Sequence, residues 1–257
     1  MEGIAEKYDL LGHCRFGQEV ARVTWEGEGQ SHWSLALASG ETLRAQIVVS
    51  AVGMFNDLVY PDIPGIEEFE GPAFHSARWD WSQELAGKKI GVIGSAASAV
   101  QIVPEIVKVA EQVHLFQRTA NWVLPKEDEP YSQEQLDEFR RNPSTLDAQR
   151  QQMFDVVDEG MTFKNTAQLK EVAAAGELAL EQVEDPVVRE KLRPQHPYGC
   201  KRPLLSNEFY PSFNRPNLEL VTEPIELITK NGIRTADGQE RDVDLVVFAT
   251  GFAATKY

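Results

Sequence analysis

The chain has 257 residues, 42% of them hydrophobic and 25% charged, so it can bury a sizeable core, and a disordered or collagen-like chain is excluded. Its 25 Lys and Arg against 40 Asp and Glu leave a net charge of −15 at pH 7, which argues against a broad phosphate-tracking surface and so against nucleic acid as a partner. Only Cys14 and Cys200 occur, no run approaches the ~18 apolar residues of a membrane span, and residues 1–9 lack a signal-peptide pattern, so no zinc or other metal centre, dithiol pair or membrane contact is expected and the setting is a reducing cytoplasm.

The first segment reads as a β-meander. Residues 20–25, 33–37 and 43–52 have strand character and are separated by the Gly-rich turns at 26–29 and 39–40. Residues 45–51 are nearly all apolar, which predicts a strand entering a buried sheet. Between Tyr60 and Gly71 the breakers Pro61, Pro64, Gly65 and Gly71 predict a linker or domain boundary, with a second domain starting near Gly87.

From Lys88 the pattern becomes strand, turn, helix, strand. Residues 89–94 form a short apolar strand, residues 97–112 place Val100, Val103, Val107 and Ala110 on one helical face, and residues 113–116 are the next strand. Pro104 interrupts that helix and should bend it or remove one hydrogen bond. Residues 127–192 read as a mostly helical insertion, with helical spacing clearest over 169–183, and strand character returns at 218–221, 225–229 and 243–248.

The chemistry starts in the turn between the first strand and helix of this unit. Gly94, Ser95, Ala96, Ala97, Ser98 and Ala99 occupy the place of G-x-G-x-x-G/A in a dinucleotide-binding fold, where small residues let the helix N-terminus approach a pyrophosphate. Gly94 and Ala99 fit the first and third fixed positions, whereas Ala96 puts a methyl group where the motif has its second glycine. Arg118 lies 24 positions after Gly94, at the end of the second strand, and Thr119 follows it. An acid near this distance would hold the ribose hydroxyl of NAD, while an arginine accepts the extra 2′-phosphate of NADP through a forked, charge-assisted contact. The residues therefore favour NADP as cofactor.

Just upstream, Phe69, Gly71, His75, Trp79 and Asp80 fill every fixed position of F-x-G-x-x-x-H-x-x-x-W-[P/D]. On independent positions such a match has a chance of roughly one in several thousand. This string resembles the fingerprint of type I Baeyer-Villiger monooxygenases, within the flavin-containing monooxygenase superfamily. The resemblance runs in order through most of the chain: Val52-Gly53 with Pro61, Pro64 and Gly65; the fingerprint; residues 94–99; Phe116-Gln117-Arg118-Thr119; Gly199-Cys200-Lys201-Arg202; and Ala249-Thr250-Gly251-Phe252.

The resemblance implies an α/β fold in which a Rossmann-like NADP-binding domain with a helical insertion joins part of a split FAD-binding domain containing the meander. On this reading residues 1–70 are partial FAD domain, 71–87 the fingerprint linker, 88–126 and 197–235 the NADP domain, 127–196 the insertion and 236–257 a return strand to the FAD domain. It implies FAD and NADP as cofactors, with NADPH, dioxygen and a small ketone converted to an ester or lactone. Lys201 would contact the 2′-phosphate, Arg202 would be catalytic over the flavin, at the reacting oxygen and the substrate carbonyl, and His75 would couple domains without acting as acid or base. No G-x-G-x-x-G precedes Gly53, so the chain resembles an internal fragment of a longer enzyme, expected to bind NADP weakly and FAD poorly and to oxygenate little. The alternatives are an N- or S-oxygenating relative and a non-catalytic NADP-binding module. A disulfide reductase would need a redox cysteine pair, and Cys14 and Cys200 stand far apart in sequence.

Overall fold

Apolar residues alternate along short strands in the second half of the chain, and both alternating sets are buried. The computed structural model describes residues 2–254 apart from 28, 30, 127, 163 and 164. Glu28 of the first expected turn, Glu127 at the start of the expected insertion, residues 163 and 164 within it, and residues 255–257 of the expected return segment lie outside the described residues. The chain divides into two compact units, residues 1–53 and 54–257.

The first unit opens with helix α1 (Glu2–Lys7), followed by β1 (Val20–Glu26), β2 (His32–Leu37) and β3 (Thr42–Ala45). These three strands form the expected antiparallel meander in the order β1-β2-β3, with Trp25 opposite Trp33 and their rings 5.2 Å apart. The third strand is shorter than the sequence predicts. It ends at Ala45, and Ile47, Val49 and Val52 stand 80%, 82% and 78% exposed. An apolar run becomes a buried strand only when a sheet receives it, and none of residues 46–52 pairs with another strand among the described residues.

The second unit runs through β4 (Ala73–His75), β5 (Lys89–Ile93), α2 (Ala97–Ile106), β6 (Gln112–Phe116), β7 (Val123–Leu124), α3 (Gln133–Arg141), α4 (Pro143–Met161), α5 (Thr166–Leu180) and α6 (Pro186–Lys191). It continues with β8 (Leu204–Leu205), α7 (Phe209–Ser212), β9 (Leu218–Val221), β10 (Ile225–Ile228), β11 (Gly232–Thr235), β12 (Glu240–Asp242) and β13 (Leu245–Phe248). A five-stranded parallel sheet in the order β4-β13-β5-β6-β9 forms its centre. One face carries Ile90, Val92, Val113, Leu115, Leu245 and Val247 against helical residues such as Val100, Val103 and Leu180. The other carries Ile93, Phe116, Val221, Val246 and Phe248 against Ile228 and Ile233 of the antiparallel sheet β10-β11-β12. Burial on both faces is what parallel strands require, and each fully buried Ile, Val or Leu contributes about 1.5 to 3 kcal/mol.

The expected βαβ unit is present, with one local difference. Helix α2 stops at Ile106, well before residue 112, and Pro104 in its last turn lacks the N–H that would bond Val100 O. Asn217 then caps the open end, its side-chain N–H groups donating to the carbonyls of Val107 and Ala110 at 2.9 and 3.0 Å. The insertion is helical, as α3 to α6.

Strand pairing shows how the segments on either side of the nucleotide-type turn join the sheet. Within 71–87, β4 is an edge strand of the parallel sheet, and β13, within 236–257, pairs with both β4 and β5 near its centre. Residues 54–70 also join this unit instead of the meander: Val59 N–H donates to Gly251 O at 3.0 Å, Ile228 N–H to Pro64 O at 2.8 Å and Glu70 N–H to Lys230 O at 2.9 Å. The breakers in this stretch shape a segment that wraps the sheet edge.

Between the two sheets lies a charged cluster. The Arg241 guanidinium, 6% exposed, donates to both oxygens of Glu219, and His114 Nδ1 lies 2.7 Å from Glu219 Oε2. Burial is the largest influence on His114 and outweighs Glu219, so its pKa falls below the ordinary 6.5. Burial pushes Glu219 upward, but hydrogen bonds from Arg241 and His114 prevail and hold it below 4.5. His75 is also depressed, by burial first and by Arg78 as well, against its bond to Gly251. A depressed pKa means that the folded state binds fewer protons than the unfolded one, so stability is complete above the unfolded pKa and declines as pH falls below it. The urea midpoint should therefore be level from pH 8 to about 7, decline below about 6.5 as the two histidines resist protonation, and decline again below about 4.5 through Glu219. A midpoint unchanged between pH 7 and 5 contradicts the histidine assignments.

Candidate functional site

Parallel strands all end at one edge, and the sequence-selected residues gather there. Gly94 follows β5, Arg118 and Thr119 follow β6, and Ala249 to Phe252 follow β13. The chain leaves β5 towards β6 and later returns as β13 on the other side of β5, which makes the carboxyl ends of these strands a topological switch point, the place where open α/β sheets take ligands.

Gly94 has φ +104, and a Cβ there would lie 2.5 Å from the carbonyl oxygen of Ala249. Only glycine fits both the left-handed backbone and this approach. Its N–H donates to Phe116 O at 3.0 Å, and Ser95 Oγ donates to Thr119 O at 3.3 Å, so the turn after β5 is fastened to the loop bearing Arg118 and Thr119. Ala96 is the N-cap of α2 with φ −90, where alanine is unstrained, and its side chain provides no cap. The first backbone donor of α2 to be satisfied is Val100, which bonds Ala96 O at 3.0 Å, so the N–H groups of Ala97 and Ser98, neither of them buried, have no partner within the helix at its positive end. Ala99 itself is fully buried, consistent with close packing of helix on strand.

Arg118, Lys201 and Arg202 are exposed, and none has an ion-pair partner among the described residues. The loop with Lys201 and Arg202 enters β8, which pairs in parallel with β7, and β7 begins five residues after Arg118. The structure thus joins Ser95 to Thr119 and Gly94 to Phe116, and ties the 196–204 loop to residues 122–124.

The fingerprint residues have packing roles. Phe69 packs on the cluster between the two sheets. A Cβ on Gly71 would lie 2.7 Å from both Asp244 O and the Phe69 ring. His75 is fully buried: Ala77 N–H donates to its Nδ1 at 3.1 Å, which leaves the ring proton on Nε2, 3.0 Å from Gly251 O. This neutral ring ties edge strand β4 to the Ala249–Phe252 turn, beside the rings of Tyr60 and Phe252 at 5.6 and 5.7 Å. Trp79 meets Phe74 edge to face at 5.1 Å and packs on the helical-side core. Asp80 accepts from Ser82 N–H at 3.0 Å, Ser82 Oγ–H at 2.6 Å and Gln83 Nε2 at 2.8 Å, and those bonds, Ser82's first, hold its carboxyl below the usual range. Sequence reasoning missed Tyr60, and Trp122 is the second omission; an aromatic residue directly before Pro61 is a weak local signal for the former.

The model of the flavin-binding monooxygenase-like family matches residues 1–169. A Baeyer-Villiger monooxygenase of Streptomyces coelicolor is 38% identical over 259 residues, covering 99% of this chain and 49% of the relative. A second, from Pseudomonas aeruginosa, is 37% identical over 258 residues with the same shares. Among solved structures, the complex of OTEMO with FAD and NADP superposes with a TM-score of 0.81 at 30% identity, over 96% of this chain and 55% of that one. The chain spans about half the length of the curated relatives it matches. With a family match over most of its length and the glycine turn, fingerprint and cation loop in place, the chain belongs to the flavin-binding monooxygenase-like family.

Proposed function

We propose that this chain forms the NADP-binding part of a flavin-dependent monooxygenase that uses NADPH and dioxygen to insert an oxygen atom into a small ketone, giving an ester or lactone. The observation that carries the reading is the bond from Ser95 to Thr119, which holds the phosphate-type turn against the loop bearing the unpaired Arg118. The N–H groups of Ala97 and Ser98 suit a pyrophosphate, while Arg118, Thr119 and Lys201 suit the 2′-phosphate. The Baeyer-Villiger identity of both relatives supports ketone oxidation over attack by amines or sulfides.

When bound, FAD supplies the redox chemistry between NADPH and dioxygen. No second glycine-rich strand-turn-helix occurs among the described residues, so the residues present fit NADP and do not by themselves fit the FAD pyrophosphate. The chain alone should hold FAD poorly, and flavin copurifying in stoichiometric amount would overturn that expectation. Arg202 is assigned the catalytic charge: a guanidinium stays protonated, so it stabilises negative charge on the former carbonyl oxygen without giving up a proton to the nucleophile. His75 is held as a buried neutral ring and takes no proton-transfer role. The two exposed cysteines fit a cytoplasmic setting, and no helix among the described residues is long and apolar enough to cross a membrane.

The test is ester or lactone formation by the enzyme containing this chain. Arg202→Ala should lower it by about 100-fold or more while NADPH oxidation persists. Unchanged ester formation removes Arg202 from the chemistry, and oxidation confined to amines or sulfides replaces the ketone reading.

A further inference from the structure

Trp122 holds both ends of the loop that carries Lys201 and Arg202. Its indole Nε1–H donates to His196 O at 3.0 Å, and its backbone carbonyl accepts from Leu204 N–H at 2.8 Å. The chain therefore leaves Trp122 at residue 196, passes through the two cations and returns at residue 204. Inside the loop, Tyr198 meets the indole edge to face at 6.0 Å. Beyond it, Ser206 N–H donates to Leu124 O at 3.0 Å and continues the β7-β8 pairing.

The segment bearing Trp122 is fixed from the other side as well. The buried Gln117 donates from Nε2 to Lys191 O at 2.9 Å, and Thr119 O accepts from Ser95. Residues 117–124 thus run from the glycine turn, past Arg118, to the base of the cation loop and are tied at Gln117, Thr119, Trp122 and Leu124. Within that loop His196 Nε2 is enclosed with no hydrogen-bond partner among the described residues. Burial first, then the Lys201 charge, depresses the His196 pKa, so the ring is neutral and the loop's own charge is that of Lys201 and Arg202.

We propose that Trp122 is a positioning residue that sets the Lys201–Arg202 loop at a fixed place relative to Arg118, so that Lys201 and Arg118 converge on one 2′-phosphate. This inference rests on the NADP reading above. A lysine on an exposed loop must be ordered before it can bind a phosphate, and a loop pinned at both ends has lost that freedom in advance. Among the described residues Trp122 makes no hydrogen bond or ring contact with either cation, and it acts through the two ends it holds.

The experiment is calorimetric titration of the chain with NADPH and with NADH, for the wild type and for Trp122→Phe, which keeps an aromatic ring and deletes the indole donor. The expected result is about fivefold weaker NADPH binding, with NADH binding unchanged within about twofold. In a Lys201→Ala background the same substitution should cost no further NADPH affinity, because the pinned group is already gone. An unchanged NADPH-to-NADH ratio in Trp122→Phe, an equal loss for both nucleotides, or a full loss that persists without Lys201 overturns the positioning role alone. A wild type that binds NADH as well as NADPH overturns the NADP reading, and the inference with it.

Discussion

Replacing Arg118 with alanine should weaken NADPH binding about 10- to 100-fold and leave NADH binding within about twofold. The guanidinium is exposed at the end of β6 and has no carboxylate partner among the described residues, although acidic residues outnumber basic ones 40 to 25. Bond formation to a phosphate therefore breaks no existing ion pair, and the net gain is that of charge-assisted hydrogen bonds. Lysine at this position should recover only part of the loss, because an ammonium cannot match the forked contact. Calorimetry on the alanine and lysine variants checks both statements, and equal loss for NADPH and NADH in the alanine variant contradicts a 2′-phosphate role.

The second large effect is on stability. Gly94→Ala should destabilise the fold by about 3 to 5 kcal/mol, combining the cost of a left-handed backbone for a residue with Cβ and the overpacking of that Cβ against backbone. The added carbon would meet Ala249 O at 2.5 Å, and this carbonyl belongs to the turn that His75 grips through Gly251. The obstacle is a backbone atom, so no flexible side chain can move aside. Against a total stability of about 5 to 15 kcal/mol the change is severe, and a urea melt reads it directly. A loss below about 1 kcal/mol would mean that the β5 and β13 turns separate easily.

How much of this was written in the sequence depends on how local the cause is. The β5-α2-β6 unit was legible because its strands are apolar on both faces and its helix places valines on one stripe, and the glycine turn between them is a matter of neighbouring residues. The meander was legible from its alternation and its turns. The place of β13 was not: its apolar run marks it as a buried strand, but nothing within the run says that it lies between β4 and β5, which precede it by more than 150 positions. The overlong third strand failed for a related reason, since the residues after Ala45 are apolar and no strand is there to take them up. In the site, residue types identified the cations and the turn. The bonds that join them, Ser95 to Thr119 and Trp122 to both His196 and Leu204, emerge only when the strands are side by side.

The NADP site we propose is assembled from the turn after β5, the end of β6 and the 196–204 loop. Titration of the purified chain with NADPH and, separately, NADH, with the flavin absorbance recorded beforehand, tests it most directly. Clear preference for NADPH and little bound flavin are the expected results. Equal affinity for the two nucleotides, or binding of neither by a chain that unfolds cooperatively in urea, would contradict it.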